Sequence, residues 1–139
     1  MVYSVRSDSN SIFGKANIDR WADLTNDEMD DEIDARITWA IQEAYDQINA
    51  RLKGCRYVVP FTLVDSAYDP IIVTLSARLT GVLLYDSRKL VDVPDFDEMM
   101  YHRSTVERTY KQIHGGQLSL VVYTIKAQGY PRAVAMDAT

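Results

Sequence analysis

The chain has 139 residues, 47% of them hydrophobic and 25% charged, with a formal net charge of -5 and a sequence pI near 4.9. That length suits one domain with a real core and no covalent staples, and the acidic balance argues against a protein that binds nucleic acid by neutralising phosphates. Cys55 is the single cysteine, which rules out an internal disulfide, and no apolar run approaches the ~20 residues of a membrane helix. The opening Met1-Val-Tyr-Ser-Val-Arg-Ser-Asp lacks the apolar core of a signal peptide, so synthesis and folding in a cytoplasm is the expectation.

Ser7-Asp8-Ser9-Asn10 is a cluster of N-cap residues and predicts a short helix over about 8–13, stopped by Gly14. Ile18, Trp21 and either Leu24 or Ala22 then share a face, which predicts one or two further turns between 17 and 25. From Asp27 to Leu52 the apolar residues Ile33, Ile37, Ala40, Ile41, Ala44, Tyr45, Ile48 and Leu52 recur at steps of three and four. This is one continuous stripe of a long amphipathic helix. Acids crowd its start (Asp27, Glu28, Asp30, Asp31, Glu32, Asp34) and Arg51 and Lys53 close it, both in the sense the helix dipole favours. Gly54 is the expected left-handed stop.

Arg56 to Val64 is β-branched and aromatic but broken by Pro60, which restricts it to an edge strand or an extended hinge. Asp69 and Pro70 sit as N-cap and first residue of a helix reaching about Ser87. Ile71, Ile72, Leu75, Leu79, Val82 and Leu83 cover more than half its circumference with Arg78 as the clear charge, so it should be central and most buried. Val91 to Asp95 reads as a linker with Asp95 as a cap. A last helix follows over about 96–114, with Phe96, Met99, Met100, Arg103, Val106, Tyr110 and Ile113 facing inward and Gly115-Gly116 as its end. Leu118 to Ile125 is short, apolar and β-prone, and has no obvious partner strand. It could pair with Tyr57–Phe61 or with a neighbouring chain.

Signs of chemistry are few. The acids between Asp23 and Asp34 resemble a calcium loop only loosely, because no glycine stands at the sharp turn and Met29 interrupts the spacing; a solvated, dipole-matched helix start is the better reading. His102 and His114 lie twelve positions apart on one helix, about 18 Å along its axis, so they read as surface or packing residues rather than a metal pair. No P-loop, G-x-G-x-x-G or G-x-S-x-G is present. Cys55 reads as a small half-buried apolar residue. Tyr45, Tyr85 and Tyr110 read as packing residues, Tyr123 and Tyr130 as interface candidates. Arg78 and Arg103 read as snorkelling residues or partners of the acidic helix start, with an inter-subunit ion pair as the alternative.

The order of these pieces resembles the small head-tail connector (adaptor) proteins of tailed phages, of the Mu-like kind. The likeness spans roughly residues 3–120 and rests on the Ser7-Asp8 start, the Leu24-Thr25-Asn26 lead into the long helix, and the hinge Leu52-Lys-Gly54-Cys55-Arg56-Tyr57-Val-Val-Pro60. It continues through Pro70-Ile71-Ile72, Ala77-Arg78-Leu79, Leu84-Tyr85 and the Leu-rich stretch after Gly115-Gly116. Cys55, inserted between Gly54 and Arg56, and the acidic Asn26–Asp31 segment depart from the family pattern. The resemblance implies a structural virion protein, made in the host cytoplasm and sited in the neck. Copies would form a ring, twelve-fold in relatives of this type, that docks under the portal, meets a stopper or tail-completion protein, and lets DNA pass without specific binding.

The expectation is therefore a mainly α-helical bundle of four to five helices over 1–116, with a short β-prone hinge, and an extended C-terminal arm over 117–139. No enzymatic reaction, metal, cofactor or membrane contact is expected. Leu118, Leu120, Val122, Tyr123, Ile125, Tyr130 and Arg132 are the expected contacts with a neighbouring copy or the portal, and Asp27, Asp30 and Asp31 the candidate acids facing the DNA channel. The rival readings are a small helical regulatory module of antitoxin-like character, which would dimerise through a groove, and an enzyme with an unrecognised carboxylate site.

Overall fold

The apolar stripe of the long helix is buried along its whole length. Ile33, Ile37, Ala40, Ile41, Ala44, Ile48 and Leu52 lie in the core, and Tyr45 is half-buried against it. The computed structural model describes residues 1–63, 66–88, 96–118 and 120. Among them five helices form: α1 (Arg6–Phe13), α2 (Lys15–Ala22), α3 (Asp30–Arg51), α4 (Pro70–Arg88) and α5 (Phe96–His114). The mainly helical class expected from the periodicity is the class observed.

α1 starts earlier than the Ser7-Asp8-Ser9-Asn10 cluster suggested, because Asp8 turns its carboxylate back to the Val5 N–H (2.8 Å) and so acts inside the first turn. Gly14 ends it at φ 91°, a conformation in which glycine carries no Cβ penalty. α2 buries Ile18, Trp21 and Ala22, whereas Leu24 stays exposed. Its C-terminal carbonyls are gathered by Arg88 at the end of α4, whose guanidinium donates to the Arg20 and Asp23 carbonyls at 2.8 and 2.6 Å.

α3 begins three residues later than the charge pattern suggested. Asn26 and Glu28 have φ of 59° and 56°, a left-handed backbone that cannot join a right-handed helix. Asp27 and Glu28 thus belong to the preceding loop, and Asp30, Asp31 and Glu32 make the acidic first turn. At the other end Gly54 does not supply the left-handed stop. The helix closes through the Leu52 N–H to the Ile48 carbonyl and the Cys55 N–H to the Leu52 carbonyl, with Leu52 at φ -100°. The left-handed glycine belongs instead to the end of α5, where Gly116 has φ 75°.

Among the described residues the hinge after α3 forms no strand: Tyr57 and Ala67 are isolated bridge residues and their described neighbours are turns, bends or irregular. Its buried anchors are Cys55, Tyr57 and Phe61. Two phenols stand in for a ladder: the Tyr3 hydroxyl accepts the Phe61 N–H (2.8 Å) while donating to Asn49 Oδ1 (2.5 Å), and the Tyr57 hydroxyl accepts the Leu120 N–H (2.9 Å). Asp69 caps α4 as expected, its carboxylate taking the Ile71 N–H at 2.8 Å.

α4 is the central helix and touches each of the other four. The core has two parts, and α4 contributes to both. Ile72, Leu75 and Leu79 join Tyr3, Ile48, Phe61, Tyr110 and Ile113 on the hinge side, while Val82 and Leu84 join Phe13, Trp21, Ile37 and Met99 on the other. Buried Ser76, Thr80 and Gly81 bring α1 close, with Ser9 Oγ donating to the Ala77 carbonyl (3.0 Å) and Ser4 Oγ 2.8 Å from Ser76 Oγ. On α5 the inward face is Met99, His102, Val106, Tyr110 and Ile113. That strict three-and-four spacing turns Met100, expected inside, out to solvent. Asp95, the linker at 91–95 and the Phe96 side chain lie outside the described residues.

A Cβ placed on Gly81 would fall inside the van der Waals radius of the Phe13 ring, and that ring is pinned edge-on by Trp21 (5.4 Å) and His102 (4.6 Å). Gly81→Ala should therefore destabilise by about 2 kcal/mol despite the better helix propensity of alanine, and Phe13→Leu should recover part of the loss. At Gly54 a Cβ meets only His114 Cε1 at 3.8 Å, so Gly54→Ala should shift stability by no more than ~0.5 kcal/mol. Denaturant titration of the three variants checks both statements.

Candidate functional site

The end of α5 is where the predicted interface begins. The chain reverses there through Gly115 N–H to the Lys111 carbonyl (2.9 Å), Gly116 N–H to the Ile113 carbonyl (3.3 Å), and Gln117 and Leu118 N–H to the Gln112 carbonyl (3.0 and 3.2 Å). Leu118 then packs half-buried against the hinge-side core and Leu120 is buried within it. The packed unit thus runs past the double glycine to Leu120, which is both covered by its own fold and bonded to Tyr57. Val122, Tyr123, Ile125, Tyr130 and Arg132 lie outside the described residues.

Beside this arm root an apolar groove opens between α4 and α5. Pro70, Ile71, Thr74, Leu75 and Arg78 form one wall, Thr105 and Thr109 the other, and Leu118 closes one side, around a volume of about 330 Å³. The threonine hydroxyls of α5 are already spent on their own helix, Thr105 Oγ1 on the Tyr101 carbonyl (2.9 Å) and Thr109 Oγ1 on the Thr105 carbonyl (2.8 Å). The groove is lined mainly by hydrocarbon, with Arg78 and the threonines as its polar residues. That guanidinium leans on the Tyr101 ring (5.9 Å to the centroid) and lies 2.7 Å from His102 Nδ1. The geometry requires Nδ1 to accept, so the proton of neutral His102 sits on Nε2.

His102 is buried at 7% exposure, facing Phe13 of α1, Arg78 of α4, and Glu98 and Tyr101 of its own helix. Burial first and the Arg78 charge second hold its imidazole below the ordinary histidine range, against a weaker pull from Glu98 3.7 Å away. It is a packing residue, as expected. His114 is exposed, its Nε2 2.7 Å from the Arg51 carbonyl at the end of α3. Neither arginine reaches the acidic start of α3: Arg78 takes His102, and Arg103 pairs with Asp86 on the last turns of α4. Arg103 faces α4 because α5 packs against that helix.

Among the tyrosines, Tyr110 is buried under the Arg51 guanidinium (4.3 Å to its centroid), and burial pushes its phenol up to about 12. Arg51 also grips Glu107 with two bonds of 2.6 and 2.9 Å, which holds the Glu107 carboxyl below its usual range. Tyr45 and Tyr85 are half-buried, Tyr45 on the ring of Tyr3 (4.7 Å) and Tyr85 on Trp21 (5.5 Å). Cys55 is buried at 3% and its thiol points to the Tyr57 carbonyl at 3.8 Å.

Asp27, Asp30 and Asp31 are all exposed, at the loop and first turn before and within α3. Asp27 Oδ1 takes the Met29 N–H (3.2 Å) and Asp23 Oδ2 the Glu28 N–H (3.1 Å), so carboxylates here fold the loop. Among the described residues no group of three His, Cys, Asp or Glu side chains is arranged to hold a metal ion, and no helix is long and apolar enough to cross a membrane. The roles of Tyr3 and Tyr57 as backbone clamps were not foreseen from sequence. Only the Arg-Tyr pair of the hinge hinted at the second. No family model matches the chain, and neither a curated protein nor a solved structure matches it.

Two measurements test this site. Tyr57→Phe leaves the buried Leu120 N–H without its phenol and should cost about 1–2 kcal/mol, with faster hydrogen exchange at Leu120. His102 titrates with the opposite sign to a salt-bridged histidine. Its folded value lies below the unfolded one, so the unfolded chain takes the proton first. Stability is complete above the unfolded value of 6.5 and should fall as pH drops below it. His102→Gln should flatten melting temperature against pH in that window.

Proposed function

We propose that this chain is a structural subunit of a phage head-tail connector, an adaptor that docks as a ring under the portal and extends the DNA channel towards the stopper or tail. The single observation that carries the reading is the arm root. The β-prone apolar segment begins at a firmly anchored point, with Leu120 buried and its N–H on the Tyr57 hydroxyl. A β-prone segment that follows such an anchor suits extended contacts with a neighbour or with a portal.

Two further features support it. The helix order and the Tyr57–Pro60 hinge fit the resemblance read from the sequence. The exposed carboxylates of Asp27, Asp30 and Asp31 would repel passing DNA rather than hold it, if they line the channel. In this reading the protein resides in the virion neck and its partners are copies of itself, the portal and a tail-completion protein.

Removing the residues after Leu120, rather than after Gly116, is the clean test, because Leu118 and Leu120 belong to the core. The chain ending at Leu120 should melt within a few degrees of the full chain yet fail to attach to the portal, measured by co-sedimentation and native mass. Normal attachment of the truncated chain removes the proposal. A stable dimer indifferent to portal would favour the antitoxin-like module instead.

A further inference from the structure

We infer that Arg78, His102 and Glu98 form an acid-triggered latch on the seam between α4 and α5: neutral His102 holds Arg78, and protonated His102 releases it in favour of Glu98. The inference is independent of the connector reading and concerns how this seam responds to pH.

Three helices meet at the imidazole, and the groups they turn towards it set which protonation state fits. Among the described residues, α1 brings the Phe13 ring (4.6 Å between centroids), α4 brings the Arg78 guanidinium, and α5 brings Glu98 and the Tyr101 ring (5.3 Å). Arg78 Nη1 lies 2.7 Å from His102 Nδ1. A guanidinium nitrogen carries donors and no acceptor, so this contact exists only while Nδ1 is bare. Glu98 Oε2 stands 3.7 Å from the other ring nitrogen, Nε2, which bears the proton of the neutral form. The bond to Nδ1 and, more loosely, the Tyr101 face (5.9 Å) position Arg78 on the seam.

One proton taken from solvent reverses this arrangement. It binds Nδ1, so that two donors and two positive charges face each other at the length of a single hydrogen bond. With His102 buried at 7% exposure, water screens that repulsion poorly. The Nε2–H meanwhile gains a charge-assisted attraction to the Glu98 carboxylate. Arg78 turns aside into the groove whose wall it already forms, a space of about 330 Å³. The α4–α5 seam then keeps the Asp86–Arg103 pair and loses the Arg78–His102 bond. Burial and Arg78 oppose the protonation and Glu98 assists it, so the folded imidazole titrates below the unfolded value of 6.5. The latch is therefore closed above that value and opens below it.

Nitrogen NMR of the isotopically labelled full chain reads the latch directly. At neutral pH the His102 signals should report a bare Nδ1 and a protonated Nε2, and the Arg78 guanidinium should show restricted rotation. As the pH falls, that restriction should vanish with the same midpoint as the His102 imidazole. A protonated Nδ1 in the neutral form, or an Arg78 signal that ignores the His102 titration, overturns the inference. Melting temperature against pH gives a second reading, which holds even where the chain unfolds as His102 takes its proton. It is taken just below 6.5, above the range in which carboxylates titrate. Arg78→Met removes the repulsion and should flatten the fall in melting temperature. Glu98→Gln, at a half-exposed position, removes the assisting carboxylate and should steepen it. His114 is present in all three chains and cancels from the differences. Side chains that only fill space would give parallel curves, and parallel curves overturn the inference.

Discussion

The contact of α1 with α4 at Gly81 is the constraint from which the rest of the bundle follows. Phe13 lies where a side chain at position 81 would stand, and Ser9, Ser4 and Ser76 hold the two segments at hydrogen-bond distance. Because α4 is so nearly surrounded, it serves both halves of the core at once, with Leu75 and Leu79 on the hinge side and Val82 and Leu84 beyond. Interiors at crystal-like density transmit a local displacement rather than absorb it. Moving α1 outward would therefore loosen Trp21 and His102 together, since both rings rest on Phe13.

The hinge depends on a second device. Pro60 lacks an N–H and interrupts any ladder, so the backbone of the hinge and of the arm root needs other acceptors. The Tyr3 and Tyr57 hydroxyls provide them, one for Phe61 and one for Leu120. An unpaired buried amide costs about 1–3 kcal/mol, which makes two phenols a substantial part of what fixes the arm's exit point. The physical consequence is a chain anchored at Leu120 by its own fold. The connector proposal draws on this single feature.

Surface charge plays a smaller part. Arg51 and Glu107 join the ends of α3 and α5 with both partners about half exposed, and such pairs are worth about 0–1 kcal/mol. The same holds for Lys15 and Asp19. The acids before α3 are spent partly on closing their loop, through Asp23 and Asp27, and otherwise leave a negative surface on that end of the molecule.

Much of the architecture was legible because helix periodicity is a local property. The Ile33–Leu52 stripe, the Asp69-Pro70 start of α4 and the 96–114 span of α5 each follow from residues three and four apart. Burial of Tyr110 and the central place of α4 were readable for the same reason, whereas His102, read as a surface or packing residue, proves buried. The β-prone composition of the arm was also a sequence fact. What only the tertiary structure decided depends on residues far apart in the chain. Gly81 matters because Phe13 meets it from 68 positions away (81 − 13), while Gly54, in a place where glycine usually stops a helix, proves to have no special backbone angle. Tyr57 clamps Leu120 across 63 positions, and Arg103 finds Asp86 rather than the acidic helix start because α5 lies on α4. Spacing reports which face of an element is apolar; which element that face meets, and which hydroxyl reaches which amide, is set only when the helices pack.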